Sequence, residues 1–428
     1  MFFNFLKNKK ELLFFIFLLL IFFYRSPYIF FNGRFMAEEG SRFFAYAYNN
    51  NFLASIFFID FKSGYINIWA NISAIVANFF DLLHAPLVSN YLSLLPKVFI
   101  IYIVLYKKSL LLDRFKYKIL FCLIVFVSPL NVPEIWLNSI NSQIFFCILI
   151  FSILFLKNLK EEISYTYIIL IIIGGLTGIY SNILVPLFYF KFVRYKTSQD
   201  KYNFIFISFT AITQFLVVIY SKLSNLLYGG KIHSINIDLL LNYIYNVFFK
   251  TFLSGDLTKY LYNEFLPNSK VIVILFFIIF LFFLFVIYFL IKKNFNFNFN
   301  SENKFLLFSL IYAFIAISFL VIIGGVGGYV GGRYASLPIF FFLTLILFLY
   351  KFFYQLRIKY LFLTLLFISL VIGFYEFRPS AKNKRIKYIE YLDCIKCPDW
   401  SREIEKYNQN KNYKLKIWPY PRKTMSLN

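Results

Sequence analysis

Apolar runs close to the length of a bilayer recur along this chain, among them Val271–Ile291 and Phe305–Ile323. That recurrence leaves little choice of fold. Backbone N–H and C=O groups in hydrocarbon must bond one another within the segment, so runs of roughly 20 apolar residues read as membrane-crossing helices. With 60% hydrophobic residues and 23% aromatic ones, the chain is read as an all-α polytopic membrane protein. Its net charge of +24 would suit a nucleic acid, but the basic residues fall between the apolar runs. Orientation in a membrane requires that placement, so the expected partner is the lipid bilayer with its anionic head groups, and no nucleic acid.

Lys7, Lys9 and Lys10 precede the first apolar run, Leu12–Tyr24, and hold the N-terminus in the cytoplasm. No small-residue cleavage site follows at Tyr24-Arg25-Ser26-Pro27-Tyr28, so the run is expected to stay as an anchor. Basic clusters then recur at Lys107–Lys118, Lys157–Lys160, Lys191–Lys201, Lys292–Lys304 and Lys351–Lys359. Keeping each inside requires paired spans: Tyr117–Val132 with Ile140–Leu156, Tyr165–Tyr180 with Asn182–Val193, Phe204–Tyr220 with Val271–Ile291, and Phe305–Ile323 with Ala335–Tyr350.

Parity allows one crossing between the anchor and the first basic loop. Leu87–Tyr106 is the cleaner run. Ile66–Leu83 carries Asn67, Trp69, Asn71, Asn78 and Asp81, the pattern of a helix lying in the outer interface. With a last span at Leu361–Tyr375, the count is about eleven crossings. The expected organisation is a transmembrane domain over 1–375, with outer loops at 26–86 and 221–270, and a small C-terminal extramembrane tail over 376–428. The tail is placed outside, although its basic run Arg378–Lys387 pulls the other way; long domains translocate largely regardless of charge.

The outer face collects the chemistry-bearing residues. Glu38 and Glu39 follow the first span, with Arg34, Arg42, Asp60 and Lys62 in the same loop. Carboxylates at a membrane face are costly to keep dry, which marks them as functional candidates against the plainer reading of solvated loop charges. The second outer loop carries Glu134 and leads into Asn138, Asn141 and Gln143. These can bind substrate or hydrogen-bond between helices. Six glycines within Gly324–Gly332 precede Arg333 and Tyr334. A backbone that free can fold over an anion, and a guanidinium at that depth suits a phosphate; the alternative is a flexible turn with a snorkelling arginine. The loop lacks the Lys-Ser/Thr of a nucleotide-binding loop.

Metal signals are weak. His84 and His233 have no His or Cys at ligand spacing, so no cofactor is assigned; Glu38 and Glu39 are left as a weak site for Mg²⁺ or Mn²⁺. Lys231 and Lys259 add charge to the long outer loop. Cys122 and Cys147 lie inside spans as small apolar residues, and Cys394 with Cys397 is either a disulfide or two unrelated thiols. The alternating Asn294–Asn300 reads as low-complexity drift in a cytoplasmic linker.

Assembled in this order, the chain resembles the integral-membrane glycosyltransferases of the GT-C class, which use polyprenyl-phosphate sugars. Their hallmark is an acidic residue or pair in the first outer loop, one span in from a cytoplasmic N-terminus, followed by interfacial helices. Met36-Ala37-Glu38-Glu39-Gly40 and Ile66–Leu83 fit those places. More closely, the chain is similar to a bacterial subgroup without assigned substrates that shares the Ala-Glu-Glu/Asp-Gly stretch, the pattern at Asn138, Asn141 and Gln143, and a tail like Leu415-Lys416-Ile417-Trp418-Pro419.

The resemblance implies a catalytic base at Glu38 or Glu39, where the class usually shows Asp in one position. It implies lipid-phosphate contacts at Gly331, Gly332, Arg333 and Tyr334, and substrate contacts among Arg42, Glu134, Asn138, Asn141 and Gln143. The donor would be a polyprenyl-phosphate-linked sugar, the acceptor a glycan, lipid or protein hydroxyl, and the location the bacterial cytoplasmic membrane. Competing readings are a lipid-linked oligosaccharide flippase or transporter, a polysaccharide polymerase or ligase, and a non-enzymatic scaffold. A transporter should carry polar residues inside its spans, whereas here they gather at the outer ends, apart from the Asn/Gln cluster.

Overall fold

The computed structural model describes residues 9–157, 163–226, 237–255, 257–258, 260, 301–324, 331–352, 356–377, 399–419 and 423–427. The span Val271–Ile291, the Asn294–Asn300 alternation, Lys231, His233, Lys259, the basic run Arg378–Lys387, Cys394, Cys397 and the 325–330 part of the glycine loop lie outside the described residues. The described residues are mostly helical, and five helices among them are long and apolar enough to cross a membrane: Ala85–Tyr106, Ser198–Leu223, Glu302–Gly324, Gly332–Phe352 and Arg357–Glu376. It divides into two compact units, one of Met1–Lys118, Val132–Gly229 and Phe377–Asn428, the other of Ile119–Asn131 and Gly230–Glu376.

The first unit holds helices α1 (Lys9–Arg25), α2 (Pro27–Phe31), α3 (Ala45–Asn49), α4 (Phe52–Ile56), α5 (Ile68–Asn78), α6 (Ala85–Tyr106), the start of α7 (Phe115–Val127), α8 (Ser142–Leu154), α9 (Tyr165–Gly175), α10 (Val185–Tyr195) and α11 (Ser198–Leu223). At one end the basic loops meet. Leu110 N–H donates to Phe155 C=O at 2.8 Å and Lys157 N–H to Lys108 C=O at 3.0 Å. Lys118 reaches Glu11 at 3.4 Å, and Lys191 pairs with Asp200 at 3.0 Å with both side chains buried.

At the other end Ile66–Ile68 pairs with Leu176–Gly178, through Ile68 N–H to Leu176 C=O and Gly178 N–H to Ile66 C=O. Gln214 of α11 closes both backbone groups of Ile66, accepting at 2.9 Å and donating at 3.0 Å. These contacts run α6 and α8 towards the basic end, with α9 and α11 returning from it. That is the alternation which the basic clusters demand.

About eleven full-length spans are not found among the described residues. The regions expected as Tyr117–Val132, Ile140–Leu156, Tyr165–Tyr180 and Asn182–Val193 hold helices of 13, 13, 11 and 11 residues. Polar breaks consume the rest of each run: Ser128–Asn141 between the first pair, and Thr177–Leu184 between the second. A helix packed inside protein has no hydrocarbon to match in length, and all thirteen residues of α8 are buried. Hydropathy scores such a helix as it would a lipid-facing one.

The expected interfacial helix is a strut instead. In α5, residues Trp69, Ala70, Asn71, Ser73, Ala74, Ile75 and Ala77 are all buried. Exposure begins at its last residue, Asn78, and continues through Phe79, Phe80, Asp81 and Leu83. Its asparagines serve packing: Asn67 caps the helix and donates to Ile140 C=O, while Asn71 donates to the carbonyls of Ile56 and Phe58.

The tail belongs to the same unit. It forms the helix Trp400–Gln409 and an antiparallel hairpin, β1 (Leu415–Ile417) with β2 (Lys423–Met425), in register Leu415 to Met425 and Ile417 to Lys423. Tyr407, Leu415, Ile417, Met425 and Leu427 share one core with Phe35, Phe43, Phe44, Ala70 and Ala74 of the first loop. Trp400 Nε1 donates to Leu82 C=O at 3.0 Å. Each large apolar side chain buried there contributes about 1.5–3 kcal/mol, so loop and tail stabilise one another.

In the second unit the helices Ser301–Gly324, Ser336–Phe352 and Leu356–Glu376 pack with a helical stretch over Ile237–Phe252. Phe248, Phe252 and Phe314 surround Phe342 there.

Candidate functional site

The acidic pair divides its labour. Chain direction reverses at Met36–Glu38, where Ala37 holds φ 42°, a left-handed conformation that costs a side chain of order 1–3 kcal/mol and points to an over-determined loop. Ala37 N–H donates to Trp418 C=O at 2.7 Å, so the hairpin fixes that turn. Gly40 lets the hairpin approach: a Cβ there would lie 2.8 Å from Phe35 Cβ and 3.1 Å from Ile417 Cδ1. The Ala-Glu-Glu-Gly stretch is thus shaped by the strand it meets.

Glu39 opens a π-helical turn, Glu39–Phe44, and points inward at 2% exposure. Its Oε1 accepts from Ser89 Oγ at 2.8 Å, Ser139 N–H at 2.8 Å and Ser139 Oγ at 2.7 Å, and its Oε2 accepts from Met36 N–H at 3.0 Å. One carboxylate therefore ties the loop to the start of α6 and to the segment before α8. Burial pushes the pKa of this carboxyl up, while the bonds from Ser139, Met36 and Ser89 hold it down; burial wins.

Glu38 faces out. Its Oε1 lies 3.0 Å from Lys423 Nζ on β2, with the glutamate side chain 30% and the lysine 36% exposed. Nearby in sequence, Arg42 pairs with Asp60, which also accepts from Ser63 Oγ. Arg34 stacks its guanidinium over Tyr28 at 4.7 Å.

The asparagine–glutamine pattern is spent on the fold. Asn138 and Asn141 both donate to the backbone carbonyl of Glu134, at 2.6 and 2.9 Å, and Asn138 Oδ1 accepts from Asn141 N–H. Both are buried, and Gln143 donates to Tyr65 OH at 3.3 Å. The pair shapes the turn that presents Ser139 to Glu39. Glu134 itself sits in a short 3-10 turn, Pro133–Ile135.

Sequence reasoning missed Lys97. It lies fully enclosed midway along α6, in a run that reads as clean apolar sequence. Pro96 has no N–H to give within the helix, and Lys97 Nζ donates to Ser93 C=O at 3.1 Å one turn back. The ammonium stands 3.9 Å from the Phe145 ring centroid and 5.5 Å from that of Trp136, which Arg25 also approaches at 5.4 Å. Trp136 Nε1 donates to Ser26 Oγ at 3.0 Å. The signal was the spacing of Ser89, Asn90, Ser93 and Lys97, which places a polar stripe on one helical face. Asn90 continues the stripe, donating to Leu137 C=O and exchanging bonds with Arg34.

In the second unit, Gly332 (φ 58°) starts a 3-10 turn over Gly332–Ala335 that leads from Gly331 into a span. Arg333 is half-buried there, its guanidinium 5.1 Å from the Tyr334 ring and Nη2 donating to Tyr334 OH at 3.2 Å. Among the described residues no group of three His, Cys, Asp or Glu converges to hold a metal.

No protein-family model, curated protein or solved structure matches the chain. Function therefore rests on the residues themselves.

Proposed function

We propose that this protein is a membrane glycosyltransferase of the GT-C type, moving a sugar from a polyprenyl-phosphate donor to an acceptor hydroxyl at the face where the first loop and the tail meet. The proposal places that face outside the bacterial cytoplasmic membrane. The observation that carries the reading is the split between the two glutamates: Glu39 is buried and fully engaged, while Glu38 is about one-third exposed on the loop surface. A general base must reach the proton that it takes. Glu38 is assigned that role, and Glu39 the positioning of the loop that carries it.

In a single displacement, the acceptor oxygen attacks the anomeric carbon as Glu38 takes its proton. The bond from that carbon to the phosphate oxygen breaks, and its electron pair leaves on the lipid phosphate. General-base help of this kind contributes about 10²–10⁴-fold. Preorganised donors at the lipid phosphate would supply electrostatic stabilisation as the charge develops there. A divalent ion is no part of the proposal.

Lys97 is a polar group inside a span, which is what a transporter would need. It is fully buried, however, against Ser93, Phe145 and Trp136, with no solvent contact of its own. The test is transfer of label from radiolabelled polyprenyl-phosphate hexoses in membranes that contain the protein. Glu38→Gln should abolish incorporation while the protein stays folded. Full incorporation by that variant removes the base and the reading with it.

A further inference from the structure

Lys423 stands on the hairpin strand that covers the acidic loop, and its place there is built. The register sets it opposite Ile417, which is 5% exposed, so the strand turns this position towards the loop rather than the open side. The hairpin is held independently by Leu415, Met425 and Leu427, all essentially buried, and by the bond from Ala37 N–H to Trp418 C=O. A lysine–glutamate pair about one-third exposed on each side contributes little to stability. The fold gains little from it. What the pair does is hold an ammonium 3.0 Å from the carboxylate assigned as base.

Resting on that assignment, we propose that Lys423 is an exchangeable cation, shared between Glu38 and a phosphate ester bound at the same surface. While Glu38 is ionised, the ammonium pairs with it. When Glu38 takes the acceptor's proton it becomes neutral, and the phosphate released from the sugar gains the negative charge that the carboxylate has lost. Lys423, on a flexible stem, then turns to that phosphate. No electrons move in this exchange; the proton passes from acceptor to Glu38, and the cation follows the charge. The tail thereby completes a site of which the first loop supplies only half.

The test is binding of two probes to the purified full chain in nanodiscs of zwitterionic lipid: undecaprenyl phosphate and inorganic phosphate. Lys423→Met should weaken undecaprenyl phosphate by about tenfold or more, and Lys423→Arg should stay near wild type. Glu38→Gln should tighten binding severalfold, because it releases the ammonium; that rise should be lost in the double variant Glu38→Gln/Lys423→Met, whereas relief of carboxylate repulsion alone would persist in it. Inorganic phosphate following the same order means that the charged group alone is recognised, whereas no response to it means that the lipid is needed as well.

Unchanged binding in a thermally stable Lys423→Met, or a loss in Glu38→Gln, overturns the inference. If Lys423→Met fails to fold, the contrast between Glu38→Gln and Lys423→Arg still decides it. Failure of the glycosyltransferase reading is separable. It falls if Glu38→Gln transfers sugar at full rate while phosphate binding still follows Lys423, and it stands if Glu38→Gln is inactive while Lys423→Met binds like wild type.

Discussion

Glu39 and Ser139 sit 100 residues apart in sequence and meet through two hydrogen bonds, Ser139 giving both its backbone N–H and its hydroxyl to the same carboxylate oxygen. Ser89 and Met36 complete the set. Glu39→Ala would leave four buried donors without an acceptor. At roughly 1–3 kcal/mol for each group, a loss of about 3 kcal/mol or more is expected. Glu38→Ala should change stability by no more than about 1 kcal/mol. Thermal unfolding in detergent checks the contrast.

Close approach of loop and span makes Gly33 sensitive. A Cβ there would fall 2.2 Å from Leu87 N and 2.4 Å from Leu87 Cα, both backbone atoms that cannot rotate away. Gly33→Ala should therefore push the loop off the start of α6, destabilising the protein by about 1–3 kcal/mol. Faster proteolysis within residues 26–60 would report it, with Gly324→Ala, where nothing lies within 4 Å, as the tolerated control.

Acid should release the tail. Burial pushes the Glu403 carboxyl up, but the bonds from Lys416 N–H, Tyr413 OH and Lys406 outweigh it and hold the carboxyl below the usual range. A depressed carboxylate stabilises the fold above its unfolded value, near about pH 4.3, and that contribution is lost as pH falls through the folded value. Emission from Trp400 and Trp418 should shift as pH drops below about 4. Glu403→Gln should remove most of that acid transition while lowering stability at neutral pH.

Orientation offers an independent check. Contacts place Lys423 beside the first loop and bring Lys108 and Lys157 together at the opposite end of the unit. Under the proposed topology, an impermeant maleimide applied outside should label Lys423→Cys and Ser63→Cys, and neither Lys108→Cys nor Lys157→Cys. Labelling of Lys423→Cys from the cytoplasmic side alone would reverse the assignment.

The sequence made some of this legible and hid the rest for physical reasons. Basic clusters mark one end of the helices, and the structure runs α6 and α8 towards that end and α9 and α11 away from it. The acidic pair marked a place, but two adjacent glutamates look alike until Ser89 and Ser139 arrive from 50 and 100 residues away. Span lengths were overread because hydropathy does not separate lipid from protein as the neighbour of α8. The hairpin over the loop was not foreseen, since strands of three residues leave no periodicity to read.

The most direct test of the account is sugar transfer by Glu38→Gln and Glu39→Gln measured side by side with their stability. Glu38→Gln should lose transfer by about 10²-fold or more at unchanged stability. Glu39→Gln should keep measurable turnover in proportion to the folded fraction, because its role is to hold the loop. The opposite pattern, with Glu38→Gln active and folded Glu39→Gln inactive, would contradict the assignment of the base and of the clamp together.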